Sequence, residues 1–261
     1  MEGITSWEEE ARFSMSKKTE RLAEEISKQT GIDFKKYRNE EIIEQIQNVT
    51  SFIISPASII PTIIKPLIFI LAIFNITAII LYASINDTSV LGMVIFLVIG
   101  NILNILIGIT LGVRLSMKSI LDDTKSIVNY TIETSNKLAK DFTVNTETIG
   151  DIIQGVSYCI IIPSVEKIIA DKFMFLSRPI SFIACNSIYH FTKNLSHYAS
   201  KLPRDNSTVD APISIFEIVK NRIDIASGLV IPKLLFPTNL LLYILLVIDS
   251  VALFVIYKVL I

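Results

Sequence analysis

The residue with the most chemical reach in this chain is Asp249, the only acid within LLLYILLVIDSVALFVIY at positions 240–257. A carboxylate at mid-bilayer costs roughly 2.5–3.5 kcal/mol on insertion scales, so such a group faces a partner or a water-filled path. Three chemistries are open to it: a proton or cation site, a pair with a base on another subunit, or a hydrogen-bonded helix contact. Asn75, Asn101 and Asn104 lie in two other apolar segments and are its candidate partners within the chain. Aspartyl intramembrane proteolysis needs two apposed acids, and Asp249 has no second acid clearly inside a span.

Gly100, Asn104, Gly108 and Gly112 recur every four residues, giving a GxxxG at 108–112. Small residues on one helix face let two backbones approach, and an asparagine on that face can hydrogen-bond across the gap. The pattern predicts helix packing at Gly100, Gly108 and Gly112. A pore-lining polar face built from Asn75, Asn101 and Asn104 is the sharper alternative. His190 and His197 stand seven apart, with Cys185 five before His190. Helical ligand pairs usually sit three or four apart, so no metal site is expected. The sequence lacks GxSxG, Walker A and HExxH, and nothing in it calls for a cofactor.

The elements that must position these residues follow from hydropathy. The 261 residues are 51 % hydrophobic yet carry 24 basic and 25 acidic residues, so the mean hydropathy of +0.55 averages two populations. Residues 67–85 and 90–112 are each long enough to cross a hydrocarbon core of about 30 Å. The turn 86–89 between them is so short that they must form an antiparallel hairpin. Residues 234–261 supply a third span. Polar helices make up the remainder. Ser6 with Glu9 fits a capping box that opens an amphipathic helix over 6–30, with Trp7, Ala11, Met15, Leu22 and Ile26 on one stripe and Gly31 as its stop. A second helix is predicted over 39–54. Pro56, Pro61 and Pro66 then suggest a kinked approach to the bilayer over 55–66. No breaker interrupts 113–142, so the second span should continue as one helix into water. Residues 150–170 are apolar but short between charges, nearer a buried core helix than a span. A short helix near 213–226 is followed by Gly228, Pro232 and Pro237.

The expected fold is therefore all-α: an integral membrane protein with a transmembrane hairpin, a cytosolic helical domain and a C-terminal transmembrane helix. Its parts are an N-terminal helix (1–31), a second helix with proline-rich approach (32–66), the hairpin (67–112), the helical domain (113–233) and the last helix (234–261). Nine Lys/Arg precede the first span, none lies in the turn, and fourteen lie in 113–233. Basic loops stay inside, which puts the N-terminus and 113–233 in the cytosol, and the hairpin tip 86–89 and the C-terminus outside. A fourth span at 150–170 would place Arg178, Lys193, Lys201 and Arg204 outside. Net charge is −1 and no basic block points to nucleic acid.

The functional expectation is a non-enzymatic membrane subunit or scaffold. Its partners would be the lipid bilayer and other membrane subunits or further copies of itself. One alternative is an oligomeric channel or ion-coupled transporter protomer using Asp249 and the span asparagines. Another is a membrane-remodelling hairpin protein.

Overall fold

The computed structural model describes residues 21–53, 55–84, 89–142, 148–173, 176–202 and 211–260. The predicted capping box at Ser6, the stripe residues Trp7, Ala11 and Met15, and turn residues 86–88 lie outside these. Every regular element among the described residues is helical.

Residues 21–30 form α1, which buries Ala23 and Ile26. It ends at Gly31, whose φ of 69° is left-handed backbone that glycine alone adopts without steric cost. A 3-10 turn, Phe34–Tyr37, leads to α2, Glu40–Val49. The Asn39 side chain accepts from Ile42 N at 3.0 Å and so caps α2, with Glu40 and Glu41 in its first turn. After α2 come α3 (Pro56–Ser84), α4 (Val90–Asp141), α5 (Ile149–Val156), a π turn (Ser157–Ile161) and α6 (Ile162–Lys172). The chain ends in α7 (Ser177–Ala199), α8 (Ala211–Asn221) and α9 (Ile223–Leu260).

Three boundaries differ from the sequence reading. The helix predicted over 39–54 stops at Val49, because residues 51–53 turn their amides onto a distant carboxylate, that of Asp123. The predicted approach 55–66 is already helical from Pro56. Pro56 sits in the first turn, where its missing donor costs nothing. Pro61 and Pro66 each remove one main-chain bond, and Ile63 between them is held against Gly112 of α4. Likewise α9 runs helically through Gly228, Pro232 and Pro237.

The chain divides into two compact units, Met1–Ser55 with Ile120–Ile231, and Pro56–Ser119 with Pro232–Ile261. One division falls at the start of α3 and the other two inside α4 and α9. In the larger unit α5 and α6 lie along α7, with α2 on α6, α8 on α7 and the 3-10 turn on the π turn. Ile152, Ile153, Ile160, Ile161 and Ile169 are fully buried there, and the Phe34 ring fills the place a side chain at Gly155 would take. Thr124, Thr131, Ser135, Ser157 and Thr192 are also fully buried. Thr124, Thr131, Ser135 and Thr192 donate to the carbonyl four residues back, which lets hydroxyls line a helix interface without orphaned donors.

The smaller unit consists of α3, the first part of α4 and the last part of α9. Among the described residues four segments are long and apolar enough to cross a membrane: Ala57–Ser84, Val90–Asp141, Ile149–Lys172 and Ile215–Lys258. They suggest a membrane protein. The third differs from the others, since 78 % of its apolar window is buried inside the protein, against 6 % for the first and fourth.

Candidate functional site

Asn75, Asn101 and Asn104 of the smaller unit lie where α3 and the first part of α4 pack together. Helices α3 and α4 run antiparallel, with Gly112 against Ile63, Gly108 against Leu67 and Gly100 against Phe74. A Cβ at Gly112 would lie 2.6 Å from Ile63 Cα, and one at Gly108 would lie 2.8 Å from Leu67 Cα. These are backbone contacts that only glycine permits. At Gly100 the obstacle is the Phe74 ring, itself stacked on Phe96 with centroids 5.6 Å apart. The glycine ladder therefore has the first apolar helix as its partner.

In the same register Asn75 donates to Asn101 Oδ1 at 2.9 Å, and Asn101 donates back to Asn75 Oδ1 at 3.3 Å. Each amide also donates to the carbonyl four residues earlier, Leu71 at 2.7 Å and Leu97 at 2.8 Å. Both donors of both NH2 groups are thus spent inside the hairpin. Asn104 is buried and donates to Gly100 O at 2.8 Å.

Asp249 is not joined to them. Leu245, Asp249, Ala252 and Leu253 are half-buried and Ile256 is buried, whereas Tyr243, Val247, Val251 and Phe254 are exposed. Asp249 therefore lies on the covered face of α9. Arg114 Nε donates to Asn239 Oδ1 at one end of the unit, and Ile256 shares a cluster with Ala78, Met93 and Phe96 at the other. That antiparallel register sets Asp249 roughly level with residues 102–104, at the depth of the asparagines. Its Oδ1 is buried and accepts no hydrogen bond. Of the four polar residues that the sequence sets in apolar segments, two form a closed pair, one bonds its own helix and one has a buried Oδ1 without a partner among the described residues.

The best-satisfied carboxylate lies elsewhere. Asp123, buried on α4, accepts from Ser51 N at 3.2 Å, Phe52 N at 2.7 Å and Ile53 N at 2.7 Å, and from Ser51 Oγ at 3.4 Å. Some seventy residues separate donor and acceptor, so no local spacing announces it. The larger unit also joins Gln154 Nε2 to Ser196 Oγ at 2.6 Å and Ser157 Oγ to Thr192 Oγ1 at 3.1 Å.

His197 lines an open polar cleft of about 330 Å³ with Asp151, Gln154, Lys193, Asn194 and Ser200. Burial raises the Asp151 carboxyl above the usual range. His190 stands edge-on to Tyr189, 5.4 Å between centroids. No three His, Cys, Asp or Glu side chains among the described residues converge as metal ligands. Cys159, in the π turn, has its thiol pushed up to about 11, first by burial, with Lys35 and Ser27 pulling the other way.

The fold and this layer define an all-helical protein whose apolar helices are long enough for a membrane. The chain matches no family model, no curated protein and no solved structure.

Proposed function

We propose that this is a non-enzymatic, multi-pass membrane subunit that assembles partners through its apolar helices and its helical domain. In this reading α3, the first part of α4 and the last part of α9 cross the bilayer, while 149–172 serves as the core of a cytosolic domain. The basic residues place the N-terminal region and 113–233 inside, and the tip 86–89 and the C-terminus outside. The observation that carries the reading is the closed Asn75–Asn101 pair. It uses the span amides as a staple between two helices, with each Oδ1 accepting from the partner amide in place of a cation. The sequence also lacks any catalytic constellation.

The test is purification of the full chain in mild detergent, sized by light scattering, with reconstitution in liposomes for ion flux. A defined hetero- or homo-oligomer without flux is the expected result. A monodisperse monomer that conducts would overturn it. Cysteine labelling at Thr88 from outside intact cells tests the orientation, and labelling only after permeabilisation would invert it.

One observation favours a second reading, an oligomeric channel or ion-coupled transporter protomer: the buried, unmatched Oδ1 of Asp249. Flux that is present in wild type and lost in Asp249→Asn would select it.

A further inference from the structure

The charges of the smaller unit are distributed unevenly along its length. Its residues, 56–119 and 232–261, hold five cations, and four of them, Lys65, Arg114, Lys118 and Lys233, belong to the same end. The contact of Arg114 with Asn239 fixes that end of α4 beside the start of the α9 segment. Lys118 lies one turn beyond Arg114, and Lys233 lies before Asn239 on the antiparallel helix, so both point past the contact toward the same end. Lys65 falls between Ile63 and Leu67, which face Gly112 and Gly108, less than two turns deeper. Lys65, Lys118 and Lys233 are exposed.

The sequence of the unit has only two acids, Asp87, which lies outside the described residues, and Asp249 at mid-depth. No ion pair engages Lys65, Arg114, Lys118 or Lys233 among the described residues. Immediately beside this basic collar the apolar perimeter begins, with Ile64, Ile68, Ile109, Val113, Phe236 and Leu240 all exposed. Cations without counterions, set on three helices where an exposed apolar surface starts, fit a ligand with a phosphate head and hydrocarbon chains.

We propose that the collar of Lys65, Arg114, Lys118 and Lys233 binds the headgroups of anionic phospholipids. The inference rests on the membrane reading above, in which the smaller unit crosses the bilayer. The lipid is distinguished from a free phosphate by the adjoining apolar surface, which would hold its chains.

The experiment uses the full chain in phosphatidylcholine liposomes containing trace spin-labelled phosphatidylglycerol or phosphatidylcholine. Wild type should hold the labelled phosphatidylglycerol several-fold more strongly. Each basic residue near an anionic surface contributes up to about five-fold, so Lys118→Gln with Lys233→Gln should remove most of the preference, Lys65 and Arg114 supplying what remains. Lys258→Gln, at the other end, should leave most of it. Arg114 stays unaltered because its contact with Asn239 holds two helices together. Equal retention of both lipids by wild type, or an undiminished preference in the double variant, would overturn the proposal. Displacement of the labelled lipid by millimolar glycerol phosphate would assign the collar to a soluble phosphate and overturn the lipid commitment. Failure of the membrane reading shows itself separately, as release of the protein from membranes by alkaline carbonate without detergent.

Discussion

Asp123 and Asp249 are carboxylates drawn away from water in the two units, and they are treated in opposite ways. Asp123 gathers three backbone amides and a hydroxyl from the segment that closes α2. Asp249 has a buried oxygen with no donor among the described residues. A buried anion tied to several donors is a structural joint, because removing it orphans every group it satisfied. An unmatched carboxyl orphans no donor when it goes. The difference separates a residue that holds the fold from one available for contact or transfer.

The largest effect is therefore expected at Asp123. Asp123→Ala leaves the buried amides of Phe52 and Ile53 without an acceptor, each worth roughly 1–3 kcal/mol. We expect a loss of about 3 kcal/mol or more in detergent, read as a lower thermal midpoint and new protease cleavage near 50–55. Asp123→Asn keeps acceptor capacity and should fall between. If Asp123→Ala unfolds no more easily than Asp249→Leu, the contrast between the two acids fails.

The next effect tests which apolar helices face protein. Ile160 is fully buried in the π turn, while Val247 is 62 % exposed on α9. Ile160→Ala should cost about 2–5 kcal/mol by transfer and cavity formation, and Val247→Ala less than about 0.5 kcal/mol. Alkylation supplies an independent measure. With its thiol pushed up to about 11 by burial, Cys159 is only about a thousandth thiolate at pH 8 and should react with maleimide only after unfolding. Rapid labelling of native protein at Cys159 would show that 149–172 is not the closed core it forms here.

Much of this architecture was legible in the sequence, and the reasons are physical. The spacing of Gly100, Gly108 and Gly112 encodes a flat helix face, and the unbroken run after Gly112 encodes one long α4, which extends to Asp141. The helix–coil balance at the prolines was not legible. Whether Pro61 and Pro66 break a helix depends on the packing that holds it, here the backbone contact of Ile63 with Gly112. The segment 149–172 was legible in part, being short between charges and less apolar than the other three, with a mean hydropathy of 1.5 against 2.4–2.6, although a protein core and a hydrocarbon core reward the same side chains. The site was half legible. Polar residues in apolar runs reveal themselves by composition, but the pairing of Asn75 with Asn101 needs the register of two helices. The grip of Asp123 on residues 51–53 has no signature in local sequence.

The amide staple should show a smaller effect than either core change. Asn75→Leu leaves Asn101 with its own Leu97 carbonyl but without its partner. Hydrogen bonds between membrane helices are worth about 0.6 kcal/mol on average and less than 2 at most, so about 1 kcal/mol is expected. The double variant Asn75→Leu/Asn101→Leu should cost less than the two single changes added together, since the second removes a group already orphaned. Strict additivity in thermal unfolding would mean that the pair contributes nothing as a pair.

The smallest effect on folding is expected at Asp249, and there the sign carries the information. Because Oδ1 has no donor, Asp249→Leu removes a buried polar group and orphans nothing, so the isolated protein should keep its thermal midpoint or gain slightly. Asp249→Asn should be equally mild. A functional cost without a folding cost would place the role of Asp249 outside this chain, in an assembly partner or in a moving proton or cation. Assembly is read by the oligomer that co-purifies with Asp249→Leu, and transfer by flux through Asp249→Asn. A fall in midpoint of several degrees in Asp249→Leu would instead make the residue a structural contact like Asp123, and the contrast between the two units would close.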